Sequence, residues 1–131
     1  MKYLIDTHTL IWFIEGSEEL SKKSINLITD ENNEIFLSIA SLWEISIKVG
    51  LGKLAIKGGY ENMMEDIVGN DITLLPIDFV HTLVQSQLQL HHRDPFDRIL
   101  IAQSIAENMS IIGRDEIFDT YFEEKNVKRI W

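Results

Sequence analysis

Lys2-Tyr3-Leu4-Ile5-Asp6 (KYLID) is a β-branched and aromatic run that ends in a carboxylate and leads into Thr7, His8 and Thr9. An apolar run this short is the pattern of a strand buried on both faces of a parallel sheet. Open sheets of that kind bind ligands in the crevice outside the carboxyl ends of their strands, so Asp6 is expected where the crevice opens. The remaining acids can then be sorted by whether the chain brings them back to the same edge.

Downstream, strand and helix patterns alternate. Thr9 to Glu15 predicts a short helix that Gly16 ends; its residues are apolar nearly all round, so Trp12 and Phe13 serve either the core or a partner surface. Ser21 caps a helix over Lys22 to Thr29, with Ile25 and Ile28 on one face. Glu34 to Ser38 is the second strand, and Ser38 or Ser41 opens a helix through Trp43, Glu44, Ile45, Ile47 and Val49 to Gly50. A glycine-broken passage carries Lys53 and Lys57, either ordinary exposed lysines or contacts for a phosphate backbone, before a helix from about Tyr60 to Val68. Ile72 to Ile77 predicts a third strand despite Pro76, and Asp78 caps a helix from Phe79 to about Leu90. Ser110 to Arg114 makes a fourth strand, Ile117 to Phe122 a short helix, and Val127 to Trp131 an edge strand. This order predicts a three-layer α/β/α fold around a mainly parallel sheet of about four to five strands. The expected organisation is one domain over residues 1–131.

A 45% hydrophobic content over 131 residues is enough for one proper core. The absence of cysteine removes disulfide and zinc-thiolate chemistry and suits a reducing cytoplasm. No apolar stretch approaches the roughly 18 residues of a membrane span, so signal and anchor readings fail and a soluble protein is expected. A net charge of −9 opposes broad attraction to a polyanion. That objection weakens if several of the acids hold cations, because a bound metal itself attracts phosphate.

The acids have structural explanations as well as chemical ones. Glu44 stands four residues before Lys48, which alone would be a solvated ion pair worth about 0.3–0.5 kcal/mol. In His91-His92-Arg93-Asp94-Pro95-Phe96-Asp97-Arg98, Asp94 takes an N-cap, Pro95 the first helical position and Asp97 the third. The adjacent His91 and His92 lack the spacing of a zinc pair and are read as surface residues. Asp115 follows the fourth strand as Asp6 follows the first. Asp6, Glu44, Asp97 and Asp115 would therefore meet at one sheet edge, where strands lie about 4.8 Å apart. Hard oxygen ligands of this kind suit Mg²⁺ or Mn²⁺, one or two ions to a site, and outline a phosphodiester-hydrolysis centre.

Four segments carry a family likeness: LIDTHTLIW from Leu4, SIASLWEISIK from Ser38, HRDPFDRILIAQ from His92 and RDEIFDTY from Arg114. Together they resemble the PIN-domain ribonucleases of the VapC toxin family over nearly the whole chain. The resemblance implies that Asp6, Glu44, Asp97 and Asp115 are the catalytic and metal-binding acids, with Asp94 in support. It also implies Mg²⁺- or Mn²⁺-dependent cleavage of RNA, a homodimer, and neutralisation by a cognate antitoxin encoded beside the toxin. Where members of this subgroup commonly carry a threonine two positions before the last acid, this chain has Gly113. Arg93, Arg98 and Lys48 are candidate phosphate contacts, and the two arginines are equally open to ion pairing with Asp94 and Asp97. Trp12, Phe13 and Trp43 are candidates for antitoxin or dimer contacts.

Other classes fit less well. A haloacid-dehalogenase-like phosphatase needs a second aspartate two residues after Asp6, where His8 stands. A phosphoacceptor receiver domain needs an acidic pair after the first strand and an acceptor after the third, where only Asp78 is available. A noncatalytic interaction module with an acidic metal-binding pocket differs from a nuclease in one observable respect: metal binding would lead to no strand cleavage.

Overall fold

Strand β1 (Lys2–Ile5) lies at the centre of the sheet, between β2 (Glu34–Ser38) and β4 (Ser110–Ile112), in a computed structural model that describes residues 1–131. With β3 (Ile72–Leu75) and β5 (Arg129–Ile130) the order is β3-β2-β1-β4-β5, and all four pairings are parallel. The chain winds outward from β1 to β3 and then crosses back to β4, so the direction of winding reverses between β1 and β4. In an open α/β sheet that reversal is where the crevice forms. Register makes the junction tight: Ile5 pairs with Ile112, and the Asp6 amide donates to the Ile112 carbonyl at 3.2 Å.

Alternation along the strands creates the layers. Tyr3, Ile5, Ile35, Leu37 and Ile112 enter one core with Leu10, Ile28, Ile45, Met63 and Ile67 from α1 (Thr7–Glu15), α2 (Lys22–Thr29), α3 (Ile39–Gly50) and α4 (Met63–Gly69). Leu4 and Ile111 face the other way, into a second core with Leu100, Ile101, Phe118 and Phe122. Those residues come from α6 (Pro95–Glu107) and α7 (Ile117–Phe122), while α5 (Phe79–Gln87) packs on α6. The fold is the expected three-layer α/β/α arrangement, and no helix is long and apolar enough to cross a membrane.

Several boundaries differ from expectation for identifiable reasons. Helix α1 begins at Thr7 and not Thr9, because the Asp6 carboxylate caps it by accepting from the Thr9 amide at 2.8 Å. Strand β3 stops at Leu75, before Pro76, which has no N–H for the ladder. Helix α5 stops at Gln87 and not Leu90, since the Leu88 and Gln89 carbonyls turn away to accept from the buried Arg98 guanidinium. Tyr60–Asn62 forms a 3₁₀ turn ahead of α4. In α2 it is Ser24 and Ile28 that are buried, while Ile25 is exposed. Ser38 and not Ser41 caps α3, its hydroxyl accepting from the Ala40 amide. Leu10 and Ile11 of α1 are core, and Trp12 and Phe13 pack half-buried against it.

Candidate active site

Four elements deliver the acids. Asp6 follows β1 and is buried, with Oδ1 committed to the Thr9 amide and Oδ2 free of any hydrogen bond. Thr9 is tied in turn, its hydroxyl donating to the Ile112 carbonyl at 3.1 Å. Asp115, beyond β4, is exposed; its Oδ1 accepts from the Ile117 amide at 3.0 Å, leaving Oδ2 free. Asp97 sits in the first turn of α6, where Asp94 Oδ1 accepts from the Phe96 and Asp97 amides at 2.9 and 3.3 Å. One Asp97 oxygen, Oδ2, meets His92 Nε2 at 3.1 Å, and Oδ1 is free.

Glu44 departs from the expected solvated pair. It is buried on α3, its Oε1 accepting from the Thr7 hydroxyl at 2.7 Å and its Oε2 from Lys48 at 2.9 Å. Both of its oxygens are engaged, so Glu44 is tied to Thr7, the residue next to Asp6, and its carboxylate does not line the cleft of Asp6 and Asp115. Lys48 is correspondingly held as the partner of Glu44 and only partly exposed.

Like-charge repulsion from Asp115 bears on both Asp6 and Asp97. Burial pushes the Asp6 carboxyl above its ordinary range; its bonds to Thr9 and the nearby His8 pull it back, and Asp115 adds repulsion. Burial likewise pushes Asp97 up to about 6, opposed by the His92 hydrogen bond and reinforced by Asp94 and Asp115. Burial, the larger cause, opposes any charge, but the repulsion between these carboxylates is relieved by a bound cation. A hard divalent ion fits carboxylate donors of this kind: Asp6 and Asp115 line one cleft, and each of them, like Asp97 in the first turn of α6, has one oxygen without a hydrogen bond. No three of the predicted acids have ligand atoms all within 4.8 Å of one another; the trio that does is Asp78, His81 and Glu107.

Three expectations are corrected here. Arg98 is buried, donating to the Gln89 carbonyl and the Tyr121 hydroxyl at 2.9 Å, and is unavailable to phosphate. It does not pair with Asp94 or Asp97 either. His92 is not a free surface residue, since its Nδ1 lies 2.9 Å from the Tyr121 hydroxyl while Nε2 faces Asp97. With Nε2–H donating to Asp97, Nδ1 accepts from Tyr121, so an Arg98–Tyr121–His92 chain fixes the Asp97 carboxylate. Arg93 is exposed and unpaired. Thr7, Thr9 and Tyr121 were missed by sequence reasoning; the hydroxyls directly following Asp6 were the only available signal for the first two.

Gly113 has a steric explanation. A Cβ there would stand 2.7 Å from Asp6 Oδ2 and 3.3 Å from Phe118 Cε2, because the parallel register sets Gly113 beside Asp6. The Asp6 carboxylate occupies the space a side chain would need.

A parallel, doubly wound α/β domain with aspartates at its winding reversal belongs to the class that handles charged ligands at strand ends. A family model described as PIN domain matches residues 3–123, and the chain belongs to that family. PIN domains are generally nucleases and usually use a divalent metal. Among solved structures, VapBC2 from Rickettsia felis bound to a DNA fragment from their promoter is similar at TM-score 0.73 and 18% identity, over 99% of this chain and 98% of that one. VapBC-5 from Mycobacterium tuberculosis is similar at TM-score 0.67 and 18% identity, covering 98% of this chain and 97% of that one. DNA-bound VapBC from Salmonella typhimurium gives TM-score 0.67 at 16% identity, covering 98% of both chains. A comparison with curated protein sequences finds no match.

Proposed function

We propose that this chain is a single-domain, Mg²⁺- or Mn²⁺-dependent endoribonuclease that acts as the toxin of a toxin–antitoxin pair. The observation that carries the reading is that Asp6 and Asp115 line one cleft at the winding reversal of a PIN fold, with Asp97 in the first turn of α6 subject to repulsion from Asp115, each keeping one oxygen without a hydrogen bond. Bound there, a divalent ion supplies an acidified water and positive charge against a phosphodiester. The chain's own part is to hold the ligand oxygens: Thr9 orients Asp6, His92 orients Asp97, and the Ile117 amide orients Asp115. Glu44, held by Thr7 and Lys48, ties α3 to the start of α1 beside Asp6. Asp94 supports Asp97 by capping its helix, and exposed Arg93 is the better-placed arginine for a neighbouring phosphate.

The toxin role is supported by likeness to VapBC structures, VapBC-5 being a member of a family of toxin-antitoxin systems. The reading includes a cognate antitoxin, a homodimer and a cytoplasmic setting, with Trp43, 62% exposed, available to a partner. Purified protein with Mg²⁺ or Mn²⁺ and a mixed cellular RNA pool, beside chelator and Asp6→Asn controls, tests it. Cuts that need metal and vanish with Asp6→Asn are the expected result. Normal metal binding without cleavage would instead favour a noncatalytic module.

A further inference from the structure

Two clefts share one wall, made by His8 and Trp12. The first, about 280 Å³, has Asp6, Asp115 and Arg114 on its other sides; the second, about 410 Å³, has Lys48 and Lys53 together with Glu15, Ile11 and Leu54. His8 and Trp12 are four residues apart on α1 and so lie on one helix face, their rings 5.6 Å apart and tilted by 35°. Trp12 is braced edge-on by Trp131 at 5.8 Å, and the Arg114 guanidinium lies over its ring at 4.4 Å. His8 is exposed, and Lys53 is exposed with no ion-pair or hydrogen-bond partner. Lys48 and Arg114 are partnered, by Glu44 and Glu19 respectively.

This ridge combines what a single nucleic-acid strand needs and the acidic cleft lacks. Bases stack on aromatic rings and guanidinium planes, while lysines and arginines flanking those planes neutralise the backbone. In a chain of net charge −9, binding to a polyanion depends on local cations, and here they border the acids directly. What favours a strand over a protein helix is the aromatic ridge with cations on both flanks, Arg114 on one side and Lys53 on the other. We propose that the His8–Trp12 ridge, with Arg114 on one side and Lys53 on the other, seats a single-stranded RNA segment and leads it across the carboxylates. The proposal rests on the ribonuclease reading and adds the binding residues to it.

The test measures binding of a labelled, mixed-sequence single-stranded RNA of about twelve nucleotides. The full chain carries Asp97→Asn so that the strand survives, and affinity is followed against salt. Trp12→Leu should weaken binding about tenfold and His8→Ala several-fold. Lys53→Gln should weaken it and lower the slope of log affinity against log salt by about 0.7, the signature of one lost phosphate contact on a single strand. His8 and Lys53 are exposed, so those variants keep the test decisive if Trp12→Leu fails to fold. Unchanged affinity and slope in both, with metal-dependent cleavage intact in the chain bearing Asp97, overturn the ridge alone and assign the clefts to a protein partner. A parent chain that neither binds nor cuts RNA overturns the ridge and the ribonuclease reading together.

Discussion

Two clusters in this molecule combine aspartate with histidine, and the tighter one is the poorer candidate for a cation. Asp78, His81 and Glu107 bring ligand atoms within 4.8 Å of one another. Yet His81 Nδ1 accepts from the Asp78 amide at 3.1 Å, and Nε2 donates to Glu107 Oε1 at 2.8 Å. A neutral imidazole so engaged has no lone pair left to give. That cluster is a clamp joining α5 to α6, with the buried Gln103 amide nitrogen completing it against the Pro76 carbonyl. At the winding reversal the carboxylates stand further apart, but Asp6, Asp97 and Asp115 each keep one oxygen uncommitted. On the proposed function, the capacity for a cation lies with the unpaired oxygens and not with the closest cluster.

The sharpest way to break this comparison is to neutralise both clusters in turn. Asp6→Asn or Asp115→Asn should lower single-turnover RNA cleavage by about 10³-fold, since each removes a charge that the metal and the developing transition-state charge depend on. Glu107→Gln keeps an acceptor for His81 and should leave the rate within about twofold. Equal losses in the two clusters would overturn the distinction. The next effect is one of stability. His81→Leu leaves the Asp78 amide without its acceptor, while the exposed Glu107 carboxylate turns to water, and should cost about 1–3 kcal/mol in urea unfolding. Divalent-cation affinity of the folded variant, measured by calorimetry, should be unchanged; a variant that folds but no longer binds cation would make His81 a ligand after all.

Much of this was legible in the sequence because the signals were local. KYLID and its carboxylate mark β1 and the crevice, and Asp94-Pro95-Phe96-Asp97 specifies the start of α6 from capping chemistry alone. The unread features all depend on residues distant along the chain. Arg98 resembles a surface arginine until Leu88, Gln89 and Tyr121 close around it. Glu44 and Lys48 form a routine helix pair until Thr7, 37 residues away, supplies the bond that ties Glu44 to the residue beside Asp6. His92 acquires its role only when α7 presents Tyr121. Gly113 looked like a missing hydroxyl, and only the register of β1 against β4 turns it into a clearance.

That clearance sharpens the comparison at atomic scale. If Asp6 Oδ2 is uncommitted because Gly113 leaves room for it, then Gly113→Ala, whose Cβ would stand 2.7 Å away, must turn the carboxylate aside. Turning it disturbs the α1 cap as well as the cation site. Calorimetry should show divalent-cation affinity reduced by roughly tenfold, with about 1 kcal/mol lost from the cap. Gly113→Thr should fare no better despite restoring a hydroxyl. Full affinity in the alanine variant would mean that Asp6 has room to move and that Gly113 has no part in the site.

The smallest effect concerns the proton that competes with the cation. Burial pushes the Asp97 carboxyl up to about 6 in the folded chain, from 3.8 ordinarily. A carboxyl raised on folding contributes stability that is full below 3.8 and lost as pH climbs through 6, since the folded state holds the proton more tightly than the unfolded one. At neutral pH the metal-free protein therefore carries a destabilising charge, kept for its use. Asp97→Asn removes that charge while Asn retains an acceptor for His92, so it should raise the metal-free melting midpoint by a few degrees at about pH 7.5. The difference from the parent should shrink toward zero as the pH falls to 3.8. Saturating Mg²⁺ or Mn²⁺ at neutral pH should stabilise the parent and leave the variant nearly unmoved, with cation affinity of the parent falling below pH 6 as protons displace it. A midpoint lowered by Asp97→Asn at neutral pH would show that the Asp97 charge supports the fold, and the division between a bonded clamp and an open, costly site would fail at its central residue.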